Sequence, residues 1–245
     1  MVISSQSLTQ QIVNDLGLSI VQGKYSGENT FPIEADLCEQ FGVSRSVLRE
    51  AVKMLTSKGL LRARPRQGTW VQPEQSWNLL DPDVLRWLLD RKFSIELLSE
   101  FTEIRLAVEP QAAAFAAERA TPEQRQAIVD ALARMKAAEH GDDDALLSDI
   151  AFHVAVLEAS GNRFFSQLKD LVETALRISI RLTNQYKGVA LASVADHKKV
   201  LDAIIAGDGK AAHAASFELV KEANDLIAKA KTNLAKENPA KAGSI

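Results

Sequence analysis

A chain of 245 residues, 46% hydrophobic and 25% charged, is long enough for one large globular domain or two modest ones. No apolar run approaches the roughly 20 residues that cross a bilayer, and no basic-then-apolar leader opens the chain. The single cysteine, Cys38, excludes an internal disulfide, so the expectation is a cytoplasmic protein with no membrane partner. Beside Leu37 and Phe41, Cys38 reads as a buried structural thiol. The net charge of −3 argues against nucleic acid until the chain is divided. Through Pro73 there are eight basic against six acidic side chains, an excess of two, while the remainder is negative by five. Clustering of the basic groups matters more than their total.

Leu8, Ile12, Leu16 and Ile20 recur every four residues and predict an amphipathic helix over 8–22, ended by Gly23. Glu34 to Phe41 predicts a second, short helix. Gly42 permits a tight turn, and Ser44 is placed to cap a third helix whose apolar face is Val47, Leu48, Val52, Leu55 and Leu60. Arg45, Arg49 and Lys53, four apart, form one basic stripe on it. Gly59 is placed for a left-handed end. Helix, turn and arginine-bearing helix in this order suit a helix-turn-helix, in which arginine reads guanine in the major groove. Leu60 to Val71 predicts a β-hairpin whose tip holds Arg64, Arg66 and Gly68, a wing able to meet phosphate or the minor groove.

Glu74 to Asn78 reads as a linker, and Asp81-Pro82 as the cap and first residue of the next helix. Helices are then expected over 94–119, with Pro110 as a break or kink, from a Thr121-Pro122-x-Gln124 capping box, and over 145–160, 163–186, 192–206 and 210–231. No strand signal follows Val71. The fold class is therefore mainly α: a winged helix-turn-helix over 1–73, a linker over 74–78, an all-α bundle over 79–233 and a flexible tail over 234–245.

Residues 8–72 resemble the winged helix-turn-helix of the GntR family of bacterial transcriptional regulators. The matching pieces are Phe31-Pro32-x-Glu34, Val43-Ser44-Arg45, Leu48-Arg49-Glu50-Ala51, Gly59-Leu60 and Gly68-Thr69-x-Val71. The resemblance implies that Ser44, Arg45, Ser46, Arg49, Lys53, Arg64, Arg66 and Gly68 face double-stranded operator DNA. Ala35 departs from the pattern, because many members carry arginine directly after the lead-in glutamate.

Within the bundle, Asp149 and His153 lie four apart on one predicted helix and His197 on another. Such a trio can hold zinc, or an Asp–His pair can merely support its helix while His197 fills the core. Residues 79–230 are similar to the effector domain of the FadR-type subgroup, in which an aspartate and three histidines hold a metal. The matches are Glu103-Ile104-Arg105 with Glu109, Asp149 with Phe152-His153, Gly161-Asn162, and His197 with Ala203-Ile204 and Gly207-Asp208. The last ligand should fall 22 residues beyond His197, where this chain has Leu219, and His213 lies on another face. The site is one ligand short of the family pattern.

A polyhydroxy acid could fill the open metal positions, with Arg105 and Arg177 clamping its carboxylate and Ser193 bonding a hydroxyl. Either arginine can instead form a surface or interhelical ion pair, a reading that stands level with the clamp for Arg177. Trp77 to Leu85, Arg105-x-x-Val108-Glu109-Pro110 and Ala117 to Thr121 resemble repressors of galactonate-type sugar-acid catabolism most. The expectation is a homodimeric repressor released by a sugar acid, with a hydroxy acid or fatty acyl derivative as the alternative effector. A metal-dependent hydrolase is the rival class, and a ligand-free helical scaffold another. For the hydrolase no general base stands at a diagnostic spacing.

Overall fold

The computed structural model describes residues 7–25, 30–64, 67–91, 95–187 and 193–237. These form two compact units, divided at Phe93 and Ser94.

In the first unit, α1 (Leu8–Val21), α2 (Glu34–Phe41) and α3 (Arg45–Ser57) precede the antiparallel strands β1 (Leu61–Arg64) and β2 (Gly68–Val71). The strands pair Leu61 with Val71 and Arg64 with Gly68. Ile12, Leu16 and Ile20 of α1 meet Leu48, Ala51 and Leu55 of α3 in a buried core. Each fully buried leucine there contributes about 1.5–3 kcal/mol. Only Leu8 of the expected α1 stripe stays exposed.

Two local expectations are corrected. Ser44 stands at the α3 cap position but caps no backbone N–H; its hydroxyl pairs with that of Ser46 at 2.9 Å. Cys38 is half-buried, because Leu37 takes the inward position beside it.

The expected linker is built into the first unit. Residues Glu74–Ser76 make a 3-10 turn laid against the end of α3. Gly59 serves two needs there: its φ is 79°, and a side chain would run into the carbonyl of Ser76. Trp77 is buried and donates its indole N–H to the Gln72 carbonyl at 3.0 Å.

Helix α4 (Pro82–Arg91), which the sequence places with the bundle, packs instead on α1 within the first unit. Asp81 caps it as expected, accepting from the N–H groups of Asp83 and Val84. The physical reason for the docking is Trp87, whose buried ring lies where a side chain on Gly17 would be. Gly17→Ala should therefore lose about 1–3 kcal/mol through overpacking. Thermal unfolding checks it, and an unchanged midpoint would mean that α4 does not sit on α1.

Lys58, at the end of α3, binds Asp81 at 2.8 Å and Asp83 at 2.9 Å. Burial works against its ammonium, but hydrogen bonds to both carboxylates outweigh that and raise its pKa. Burial likewise opposes the Asp83 carboxylate, and Lys58 outweighs it and lowers the pKa. A raised base stabilises fully below its ordinary value near 10.5 and loses this as pH climbs through the folded value. A lowered acid stabilises above its ordinary value near 3.8 and loses this as pH falls through the folded value. The difference in melting temperature between the native chain and Lys58→Met should persist across neutral pH and close at both extremes.

The second unit comprises α5 (Ile95–Arg119), α6 (Pro122–Glu139), α7 (Ala145–Ala159), α8 (Arg163–Gln167), α9 (Lys169–Lys187), α10 (Val194–Ala206) and α11 (Gly209–Glu237). Helix α5 continues through Pro110. The single helix expected over 163–186 is divided at Leu168 into α8 and α9. The Thr121 capping box is present, with bonds of 3.2 and 3.0 Å.

Ala112, Ala113, Ala116 and Ala117 are buried on α5, which packs extensively along α11 and its buried Ala212, Val220 and Ile227. Small side chains let these two long helices approach closely. Helix α7 packs against α5 and α6, and α10 lies against α5, α6 and α11. This arrangement carries residues of α5, α7 and α10 to one interior point. Helix α11 reaches Glu237, into the segment expected as tail; residues 238–245 lie outside the described ones.

Candidate nucleic-acid interface and candidate metal centre

In the first unit, burial of Leu48, Ala51 and Leu55 turns the opposite side of α3 outward. Ser44, Arg45, Ser46, Arg49 and Lys53 are all exposed. Lys53 pairs with Glu50 at 2.9 Å on the same helix. The Nε–H of Arg49 donates to Glu34 of α2 at 3.0 Å, and Arg45 stands 3.9 Å from the other oxygen of the same carboxylate. On the wing, Arg64 is exposed with its guanidinium 5.7 Å from the Trp70 ring centre. Gly68 turns with a φ of 90° and open space where a side chain would be. Arg66 lies outside the described residues.

In the second unit, Asp149, His153 and His197 are brought together and buried, with ligand atoms within 4.8 Å of one another. One oxygen of Asp149 lies 3.0 Å from His197 Nε2 and 3.3 Å from His153 Nε2. The Nδ1 of each ring is held from outside, His153 by Glu109 at 2.8 Å and His197 by the Ser193 carbonyl at 2.8 Å. Outer hydrogen bonds of this kind aim the remaining ring nitrogen and fix its tautomer, which is how histidine is set to bind a metal. The donor set suits zinc, with at least one coordination position left over.

Behind His153 lies a buried ion pair that sequence reasoning underrated. Arg105 grips Glu109 through two bonds, at 2.6 and 3.2 Å, and both side chains are under 5% exposed. Burial opposes the Glu109 carboxylate, but the charges of Arg105 and His153 hold its pKa down, to about 2. Burial also opposes the His153 imidazolium, and Glu109 and Asp149 raise it to about 9. Burial pushes against ionisation of Asp149 as well, yet hydrogen bonds from both histidines keep it below the usual carboxylate range. The signal available in the sequence was the Arg105–Glu109 spacing of four on one helix face.

The remaining expected ligand contacts are not gathered at this point. Arg177 is exposed and pairs with Glu173, one turn away, at 2.6 Å. The Ser193 hydroxyl is the N-cap of α10, accepting from Asp196 N–H, and only the Ser193 carbonyl joins the cluster. Leu219 lines a cleft with Asp196, Lys199 and Glu222, and none of the three cluster residues lines it. His213 is exposed.

Residues 8–71 match the family of bacterial regulatory proteins named gntR, and residues 100–222 match the FCD domain. The galactonate operon transcriptional repressor of Escherichia coli K12 is 36% identical over 213 residues, covering 86% of this chain and 93% of that protein. The chain belongs to the GntR family. A putative regulator of the L-lactate dehydrogenase operon, also from E. coli K12, is 29% identical over 88% of this chain and 84% of its own length. In fold alone, this GntR-family chain is like the solved structure of Lar from Listeria monocytogenes. That likeness has a TM-score of 0.57 at 16% identity, over 91% of this chain and 98% of the other.

The GntR-family chain is a transcriptional regulator, and the hydrolase reading falls with that membership. Glu109, the acid nearest His153, is itself held by Arg105. Among the described residues no helix is long and apolar enough to cross a membrane.

Proposed function

We propose that this regulator is a cytoplasmic homodimeric repressor of the FadR subgroup, released from its operator by a sugar acid of the galactonate kind. The observation that carries the reading is the 36% identity to a galactonate operon repressor along nearly the whole of both chains. The heads contribute α3 and the wing, and two-fold symmetry calls for near-palindromic half-sites. Arg45 and Arg49 read base edges, while Lys53, Arg64 and Arg66 meet the backbone.

Asp149, His153 and His197 would hold a divalent ion, which would supply Lewis-acid positions for the carboxylate and adjacent hydroxyl of a 2-hydroxy acid in place of a fourth side chain. Arg105 already has a carboxylate partner in Glu109, so it orders the site rather than clamping the effector. A smaller hydroxy acid is the second reading. The relative named for an L-lactate dehydrogenase operon favours it, and lactate and galactonate are both 2-hydroxy carboxylates. Whichever acid binds, it shifts the regulator off DNA only by its preference for the non-binding arrangement.

Thermal shift tests this directly, with galactonate, other aldonic and uronic acids, lactate and a fatty acyl-CoA, each with and without chelator. The right acid at about 100 times its Kd adds about 2.7 kcal/mol. A shift abolished by chelator is the expected result. A shift that survives chelation removes the metal from the reading, and a shift with fatty acyl-CoA alone removes the sugar acid.

A further inference from the structure

An acidic side chain beside a DNA-reading arginine is a liability on charge alone, since it repels phosphate and competes for the guanidinium. Glu34 is placed there nevertheless. It opens α2, and its carboxylate spans to α3, taking the Arg49 Nε–H at 3.0 Å with one oxygen and facing Arg45 at 3.9 Å with the other. Both arginines remain largely exposed, at 66% for the Arg49 side chain and 73% for that of Arg45. The pair therefore does not bury them; it restrains two long side chains on the open face of the head.

We propose that Glu34 is a positioning residue for DNA reading, which fixes the Arg49 guanidinium by its Nε edge so that the residue meets guanine end-on, through its two Nη groups. The inference rests on the reading that α3 enters the major groove. A guanidinium can approach the O6 and N7 acceptors of guanine with Nε and one Nη, or with both Nη groups. Glu34 occupies Nε and leaves the second mode. Arginine also carries considerable rotamer entropy, and holding it in one geometry before binding lowers what is lost on contact. The other acid on this face, Glu50, is engaged by Lys53 and leaves Arg49 to Glu34 alone among the described acids.

The test uses the full chain, a duplex selected from a random pool by the native protein, and a scrambled duplex of equal composition at the same salt. Glu34→Ala should bind the selected duplex at least about tenfold more weakly and the scrambled one equally or a few-fold more tightly. Repeated selection should relax at the same guanine that Arg49→Ala relaxes. Glu34→Gln keeps a carbonyl acceptor at the same reach and should restore most of the discrimination.

A Glu34→Ala chain that binds both duplexes more tightly marks the residue as a mere repulsive charge and overturns the proposal. Equal loss on both duplexes with a lowered melting temperature assigns it to folding and overturns it too. If Arg49→Ala leaves the selected duplex unaffected, the reading of α3 itself has failed. If Arg49→Ala loses affinity while Glu34→Ala keeps the native ratio, only the role of Glu34 has.

Discussion

Arg105→Met is expected to destabilise the helical unit by about 3–5 kcal/mol, the penalty for leaving one partner of a buried ion pair alone. Glu109 is 3% exposed and would retain only His153 as a partner. At roughly 2–4 °C per kcal/mol for a unit of this size, the melting temperature should fall by about 6–20 °C. The double variant Arg105→Met with Glu109→Leu removes both charges and should recover part of the loss. Recovery stays partial, since the Nδ1 of His153 then lacks its acceptor and the metal-binding edge is no longer aimed. Calorimetry of the full chain measures both. An Arg105→Met protein that melts with the native one would show that the pair is not enclosed.

Arg49→Ala is expected to weaken operator binding by roughly 5- to 150-fold for each half-site, the size of one bidentate guanine contact. The proposed two-fold dimer would use the residue twice, so the whole-site loss would compound. Lys53→Ala should behave differently: with Lys53 facing a phosphate, as proposed, its loss should lower affinity evenly across sequences and reduce the salt slope by about one. Affinities on selected and scrambled duplexes across a salt series separate the two. Unchanged affinity in Arg49→Ala would mean that another element enters the groove.

Periodicity made the helices legible. Where apolar residues recur every four positions, as Ile12, Leu16 and Ile20 do, one face of the helix must leave water, and these three are buried. The same logic placed Leu48 and Leu55 inward and Arg45, Arg49 and Lys53 outward on α3. Local chemistry was equally readable at Thr121, Asp81 and Gly59, since a cap or a positive φ is decided within a few residues. The trio of Asp149, His153 and His197 was visible from spacing and resemblance together, and the bundle does gather it.

What tertiary structure alone decided are the partnerships between elements distant in sequence. No local pattern announces that Trp87 sits over Gly17, so α4 could be read as part of the bundle when it packs on the head. Nor does the pattern show Glu34 reaching across to Arg49, or Glu109 standing between Arg105 and His153. Arg177 could be read as a carboxylate clamp or as an ordinary ion pair, and packing decides it: Arg105 is buried against Glu109, while Arg177 pairs with Glu173 at the surface. The sequence by itself determined which face of each helix is apolar and where most helices start and stop, because those depend on neighbours three or four residues away. Which charged groups share a point in space depends on how whole helices pack, and that only the fold decides.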